Sequence, residues 1–410
     1  MRRTSGQRVQ WGFVDQAVSS LTNFAIGLVV ARLAAPREFG TFSLAFTLYL
    51  TLLWVSRSLT TEPFVVRLTA AGAEKQRTAA SRAVGAASAM GLIAAGVVGS
   101  VGLAGSPLSG RILGAMALSM PGLLAQDSFR YVLFAAGRAR SAAVNDLVWL
   151  FIEAVLIVGL FGTGHATTTA LVAAFGLSAS VAALVGSWQT KVVPSLADSY
   201  RWVRDNRDLA VPFVLELLTV AGMIQIGLLV VSAIIGAEAI GALRAAMLLM
   251  GPLTVLFLGV FVIAVPEAIR FQHRSLSVLP RMVTALGLAM PVVTFVWAGA
   301  IMLLPERLGR ALLRSNWGPG RHVLPAVAFL IAAHAFGTAS VVGLRALGAA
   351  KRSLGARLWG APVFLAGGVI GSVVGGAYGA GVGLAGAGWI DAFLVWLAFR
   401  HALRARNESL

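Results

Sequence analysis

Residues 11–34 read WGFVDQAVSSLTNFAIGLVVARLA. The apolar core of a cleaved export signal spans roughly 7–15 residues and ends in a small-x-small site. This run is longer and has no clean site of that kind, so it reads as an uncleaved first membrane helix. The preceding Arg2-Arg3 is followed by Thr4-Ser5-Gly6 rather than by bulky apolar residues, which argues against a twin-arginine export signal.

Working outward, apolar runs recur near 11–34, 40–66, 83–105, 112–136, 142–163, 169–190, 210–235, 240–266, 282–304, 323–347, 354–376 and 382–399. Each is long enough for a helix of about 20 residues to cross a bilayer. The chain is 410 residues long, 58% hydrophobic and 12% charged, against roughly 25% charged in a soluble domain. The spacing predicts an all-α polytopic membrane protein of about twelve transmembrane helices, with no room for a separate soluble domain.

The net charge of +17 would suggest nucleic acid in a soluble protein. Here the basic residues sit in short connections, so topology accounts for them and no nucleic-acid partner is expected. Arg2, Arg3 and Arg8 fall on one side with Arg67, Lys75, Arg77, Arg82, Arg138, Arg140, Lys191, Arg201, Arg204 and Arg207. Arg270, Arg274, Arg281, Lys351, Arg352, Arg357, Arg400, Arg404 and Arg406 continue that side. The positive-inside rule then places both termini in the cytoplasm of a bacterial-type inner membrane. The connection carrying Arg307, Arg310, Arg314 and Arg321 goes against the rule. Cysteine is absent, which removes disulfides and thiolate metal sites. His165, His273, His322, His334 and His401 lack ligand spacing, so neither a metal nor another cofactor is expected.

The chain repeats itself. Leu28-Val29-Val30 followed by Gly40 matches Leu229-Val230-Val231 followed by Gly241, and the same offset sets Asp15 opposite Glu216. Two six-helix lobes that enter the membrane the same way are expected, an N-terminal lobe over 1–200 and a C-terminal lobe over 201–410. Between them lies the polar, mixed-charge segment from Lys191 to Leu209, about which the lobes would rock.

Several stretches resemble a known family. Trp11-Gly12, Asp15-Gln16, Ser19-Ser20-Leu21, Asn23-Phe24, Ala31-Arg32 and Pro36-Arg37-Glu38-Phe39-Gly40 are similar to the first hairpin of polysaccharide-biosynthesis flippases. Gln126-Asp127, Arg130-Tyr131, Gly137-Arg138 and Asp146-Leu147-Val148-Trp149 resemble their fourth and fifth helices. The family belongs to the larger MOP group that also holds MATE multidrug exporters and the lipid II flippase. The resemblance implies a non-enzymatic flippase that moves a lipid-linked oligosaccharide, joined through pyrophosphate to a polyprenyl lipid, by alternating access. Its partners would be that lipid, the surrounding membrane lipids and proteins of glycan assembly.

Ionisable groups inside a membrane are costly and require a partner or a water-filled cavity. Arg57, Arg130, Arg244 and Arg345 fall within or near the spans, and guanidinium forks suit a pyrophosphate. The alternatives are interhelical ion pairs or snorkelling to an interface. For Arg130 the pairing partner is expected to be Asp127, three residues before it. Asp15, Ser19, Thr22 and Asn23 form a polar stripe on the first helix. Asn23 joins the candidate substrate contacts, and Asp15 and Glu216 are candidates for a coupling proton or sodium ion. For Asp15 a plain capping role at the helix start is the competing reading. Glu62 and Glu267 are candidate gate residues or partners for Arg67 and Arg270.

Gly381-Val382-Gly383-Leu384-Ala385-Gly386 matches the dinucleotide pattern but opens an apolar span, so it is discounted. Gly371 and Gly375 instead read as a close-packing pair for the last two helices. The competing functions are an exporter of small amphipathic compounds, a membrane glycosyltransferase or polymerase, and a non-transporting scaffold. An enzyme would need paired acids on an outer connection, where Glu306 stands without a second.

Overall fold

The structure, a computed structural model, describes residues 2–68, 71–219, 222–253, 278–347 and 349–408, with isolated positions between 253 and 278. Every regular element among them is helical: α1 (Arg2–Leu33), α2 (Pro36–Leu68), α3 (Ala73–Leu103), α4 (Pro107–Ala135), α5 (Ala139–Gly162) and α6 (Thr168–Thr190). Then come α7 (Ser199–Asp205), α8 (Arg207–Thr219), α9 (Gly222–Ile235), α10 (Ala237–Leu249), α11 (Val278–Met302), α12 (Glu306–Leu313), α13 (Trp317–Ala346) and α14 (Ala350–Glu408). Nine helices among the described residues are long and apolar enough to cross a membrane. Large apolar side chains such as Leu103, Leu118 and Val374 stand exposed on them, as suits a surface solvated by lipid tails. The chain is therefore an all-α, multi-pass membrane protein. Of the predicted eighth run, 240–266, the first half is α10, and much of the remainder lies outside the described residues.

The chain divides into two compact units, Met1–Leu217 and Leu218–Leu410. In the first, α4 is the central post, packed against α2, α3, α5 and α6. Pro36 at the first turn fixes the start of α2, and Ser106, with its side chain accepting from the Ser109 N–H at 3.3 Å, caps α4 just before Pro107. Gly137 (φ 70°) turns the chain from α4 into α5. Glycines bring α4 against its neighbours: a Cβ on Gly91 would lie 2.5 Å from Cα of Pro121. The segment after α6 is held on this unit. Ser195 N donates to Ser81 O at 2.9 Å, Ser81 Oγ to Val193 O at 2.6 Å, and buried Trp202 of α7 donates Nε1–H to Thr60 O at 3.2 Å.

In the second unit α13 packs against α10, α11 and α14. The predicted eleventh and twelfth spans are the two arms of α14, 350–374 and 377–408. They are joined by a reversal at Gly375-Gly376, where Gly376 has φ 58°. A Cβ on Gly371 would sit 2.1 Å from the Gly379 carbonyl oxygen, and one on Gly383 1.9 Å from that of Gly367. The arms thus touch backbone to backbone. Gly371 has the close-packing role, whereas Gly375 makes the bend. Gly383, part of the discounted dinucleotide pattern, is a packing position too.

Candidate functional site: a buried charge cluster in the N-terminal unit

The α-helix of α2 is interrupted at Arg57–Thr61 by a π-helical turn, which inserts a residue and frees backbone carbonyls. Those carbonyls find side chains. Thr60 Oγ1 donates to Ser56 O at 2.7 Å, and Thr60 O accepts from Trp202. The turn carries Arg57 toward α4, where its Nε and Nη2 donate to Asp127 Oδ2 and Oδ1 at 2.8 and 2.6 Å. Such a two-point fork is the strongest geometry available to this pair.

Arg130, one turn further along α4, reaches α1. Its Nε donates to Asp15 Oδ2 at 2.7 Å, its Nη2 lies 2.6 Å from the same oxygen, and Nη2 also donates to Gln16 Oε1 at 3.2 Å. Asp127 is only a secondary neighbour at 3.7 Å. The expected pair of Asp127 with Arg130 is present but is the longest of the three contacts, because this guanidinium extends across to α1. Asp146 of α5 completes the group. Its Oδ1 accepts from Gln126 Nε2 at 2.8 Å, and its Oδ2 stands 3.4 Å from Arg130 Nε in an ion-pair contact lacking hydrogen-bond alignment. Asn145 beside it donates Nδ2–H to Ala182 O at 2.8 Å.

Three carboxylates thus meet two guanidiniums among four helices, and all but Arg57 are nearly excluded from solvent. The ionised cluster keeps one negative charge in excess. In a low-dielectric interior each of these charges is tolerable only beside its opposite.

The capping role for Asp15 is overturned. Helix α1 already begins at Arg2, so Asp15 lies several turns inside it, fully buried. The polar residues ahead of Trp11 continue the helix instead of preceding it. Ser19 and Thr22 of the polar stripe are buried as well, and Asn23 donates Nδ2–H to Ser19 O at 2.9 Å.

The remaining candidates lie elsewhere. Glu62 opens the helical stretch after the π turn, while Arg67 reaches Asn206 Oδ1 at 2.8 Å and pairs with Asp208. In the second unit Arg244 of α10 donates to Gln225 Oε1 at 2.8 Å, and Arg345 stands exposed in the last turn of α13. Glu216 lies on α8 with its side chain outside the described residues, and Glu267 lies outside them entirely. In the basic connection that opposes the positive-inside rule, Glu306 pairs with Arg310 at 2.9 Å. No set of three His, Asp or Glu side chains arranged as metal ligands occurs among the described residues.

Sequence reasoning missed Asp146 as a site residue, although it stood within the quoted Asp146-Leu147-Val148-Trp149. The available signal was an acid in the middle of an apolar run.

The fold is that of a MATE-type membrane transporter. An inward-facing multidrug resistance MATE family transporter of the MOP superfamily superimposes with a TM-score of 0.75 at 16% identity, covering 97% of this chain and 99% of the other. The lipid II flippase MurJ, in an inward closed conformation, aligns with a TM-score of 0.72 at 12% identity over 94% of this chain and 87% of its own. A MOP superfamily transporter from Pyrococcus furiosus Vc1, described as having a binding pocket of reversed polarity, gives 0.56 at 17% identity over 96% and 94%. No family model and no curated protein sequence matches the chain. These three matched structures are two transporters and a flippase.

Proposed function

We propose that this protein is a flippase. It carries a polyprenyl-pyrophosphate-linked oligosaccharide across the bacterial cytoplasmic membrane for cell-surface polysaccharide assembly, by alternating access of two lobes, with both termini cytoplasmic. The observation that carries the reading is the setting of Arg57. Its Nε and Nη2 are held by Asp127, while Nη1 has no hydrogen-bond partner among the described residues. The guanidinium carbon lies 4.9 Å from the Trp54 ring centre and 5.3 Å from that of Tyr131. A fixed cationic donor beside two aromatic faces suits a phosphate oxygen with sugar rings stacked alongside. Arg130, Arg244, Arg345 and Asn23 are further substrate contacts in this reading. Asp15 and Glu216 serve coupling, and Glu62, Glu267 and Asp127 gating. Similarity to a lipid II flippase supports a lipid-linked substrate.

The second reading is an exporter of small amphipathic compounds. It is favoured by the net negative charge of the buried cluster and by the multidrug transporter of the same fold.

The deciding measurement is movement of a fluorescent polyprenyl-pyrophosphate oligosaccharide in proteoliposomes, with a cationic dye in parallel. The flippase reading expects lipid transport that falls at least tenfold in Arg57→Gln combined with Asp127→Asn, a pair of changes that leaves no orphaned charge. Dye movement without lipid movement hands the assignment to the exporter.

A further inference from the structure

The connection from α11 into the first turn of α13 carries Arg307, Arg310, Arg314 and Arg321 against one acid, Glu306, leaving three positive charges in excess. Topology does not account for these bases, since they oppose the positive-inside rule.

The segment has a fixed place in the C-terminal unit. Helix α12 begins at Glu306, shortly after α11 ends at Met302, and Gly309 leaves room for the ring of buried Trp317. A Cβ on Gly309 would fall 2.1 Å from Trp317 Cε2. Leu313, also buried, anchors the far end of α12. Arg321 ties α13 to α11 by donating Nη2–H to Met302 O at 2.8 Å, and its guanidinium carbon stands 5.8 Å from the Trp317 ring centre.

Helix α12 turns two unlike stripes outward. Gly309 and Leu313, four apart, face the protein, and Leu308 and Leu312, also four apart, form an exposed apolar stripe beside them. Arg307 and Arg310 project from the remaining side, both exposed. Leu303, just ahead of the helix, is 85% exposed. Past the helix Arg314 has φ 47°, a conformation that residues with a side chain seldom adopt and that only the surrounding structure maintains. With Arg310, Glu306, Ser315 and Gly318 it borders an open cavity of about 500 Å³.

The charges there are only partly balanced. Glu306 lies 2.9 Å from Arg310 and 3.9 Å from Arg321. Arg307 and Arg314 have no acidic partner among the described residues. The reversal at Gly375-Gly376, set at this end of the unit by the contact of Tyr378 with His322 (ring centres 5.3 Å apart), brings no acid.

We propose that α12 and the turn after it form a binding site for an anionic phospholipid of the leaflet at this end of the helices, the outer one in the topology proposed above. A helix with an apolar stripe beside a basic one lies in the plane of the interface, its leucines at the acyl boundary and its arginines among the headgroups. That combination selects a lipid over a water-soluble anion, which would engage the arginines and leave the leucines wet. The charge selects an anionic headgroup over a zwitterionic one. With Glu306 offsetting Arg310, the cavity presents one uncompensated guanidinium, Arg314, which suits the single charge of a phosphodiester.

The chain has no cysteine, so Ala311→Cys, exposed between the two stripes, takes a fluorophore without background. In phosphatidylcholine proteoliposomes the probe is quenched by contact with a lipid that carries a nitroxide near the top of one acyl chain. At equal mole fraction, nitroxide phosphatidylglycerol should quench about threefold or more better than nitroxide phosphatidylcholine, a preference that declines as salt rises. The preference should vanish when Arg307→Gln, Arg310→Gln and Arg314→Gln are combined, and persist in Arg404→Gln with Arg406→Gln at the far end of α14. Equal quenching by the two lipids in the labelled protein with all its arginines overturns the proposal without recourse to a further variant, as does a preference that the triple variant keeps. Displacement of the phosphatidylglycerol by an equimolar polyprenyl pyrophosphate, or by a soluble acidic polysaccharide, overturns it in favour of a cargo or glycan site. No transport is measured, so failure of the flippase reading leaves the result standing.

Discussion

Both units of this chain bring helices together at glycines, but among the described residues only the N-terminal unit adds buried ion pairs. The N-terminal unit uses charge: residues far apart in sequence, Arg57 with Asp127 and Arg130 with Asp15, are joined across α1, α2 and α4. The C-terminal unit uses the absence of side chains, bringing the arms of α14 together at Gly367, Gly371, Gly379 and Gly383. In water both devices would be minor beside hydrophobic burial, but lipid tails are as apolar as leucine. Specific polar pairs and close backbone approach are what remain to select one helix arrangement over another. Similar halves at the level of repeated sequence have thus reached the same end with different shares of charge.

The largest effect should come from breaking the charge device. Arg130→Leu leaves Asp15 and Asp146 buried without a cation, and removing one partner of a buried pair costs about 3–5 kcal/mol. Unfolding of the purified variant in detergent should show this loss, and adding Asp15→Asn should recover part of it. Full stability of the single variant would mean that the cluster does not hold this unit. Next comes the glycine device. Gly383→Ala drives a methyl into the Gly367 carbonyl and should cost about 2–3 kcal/mol, within the range of overpacked cores. A neutral result would mean that close backbone approach does not hold the C-terminal unit. The smallest effect concerns the latch of the N-terminal unit. Trp202→Phe keeps the ring packed beside Phe64 (ring centres 6.4 Å apart) but deletes the bond to Thr60 O, a loss of about 1 kcal/mol. Hydrogen exchange at α7 should rise in this variant while that of α13 stays unchanged.

Much of the cluster could be picked out from sequence and little of its wiring. Arg57, Arg130, Asp15 and Asp127 stand out because charges are rare in apolar runs. Their pairing did not, because spacing along one helix reports only which residues share a face. Asp127 and Arg130 satisfy that rule, yet each has its closest ionic partner on another helix. Asp146 passed unnoticed as a site residue since a single acid barely alters the mean polarity of a span. Gly371 and Gly375 show the same limit, equal in spacing but divided between a contact and a bend by the reversal at Gly376.

What the sequence determined by itself is the class of solvent and the class of element. Membrane insertion depends on the length and polarity of each segment taken alone, so runs of about 20 apolar residues separated by basic connections already dictate a helical multi-pass protein. The tertiary structure decided which charge meets which and which glycine touches a backbone. Those outcomes depend on the register and facing of helices distant in the chain, and no local pattern encodes them.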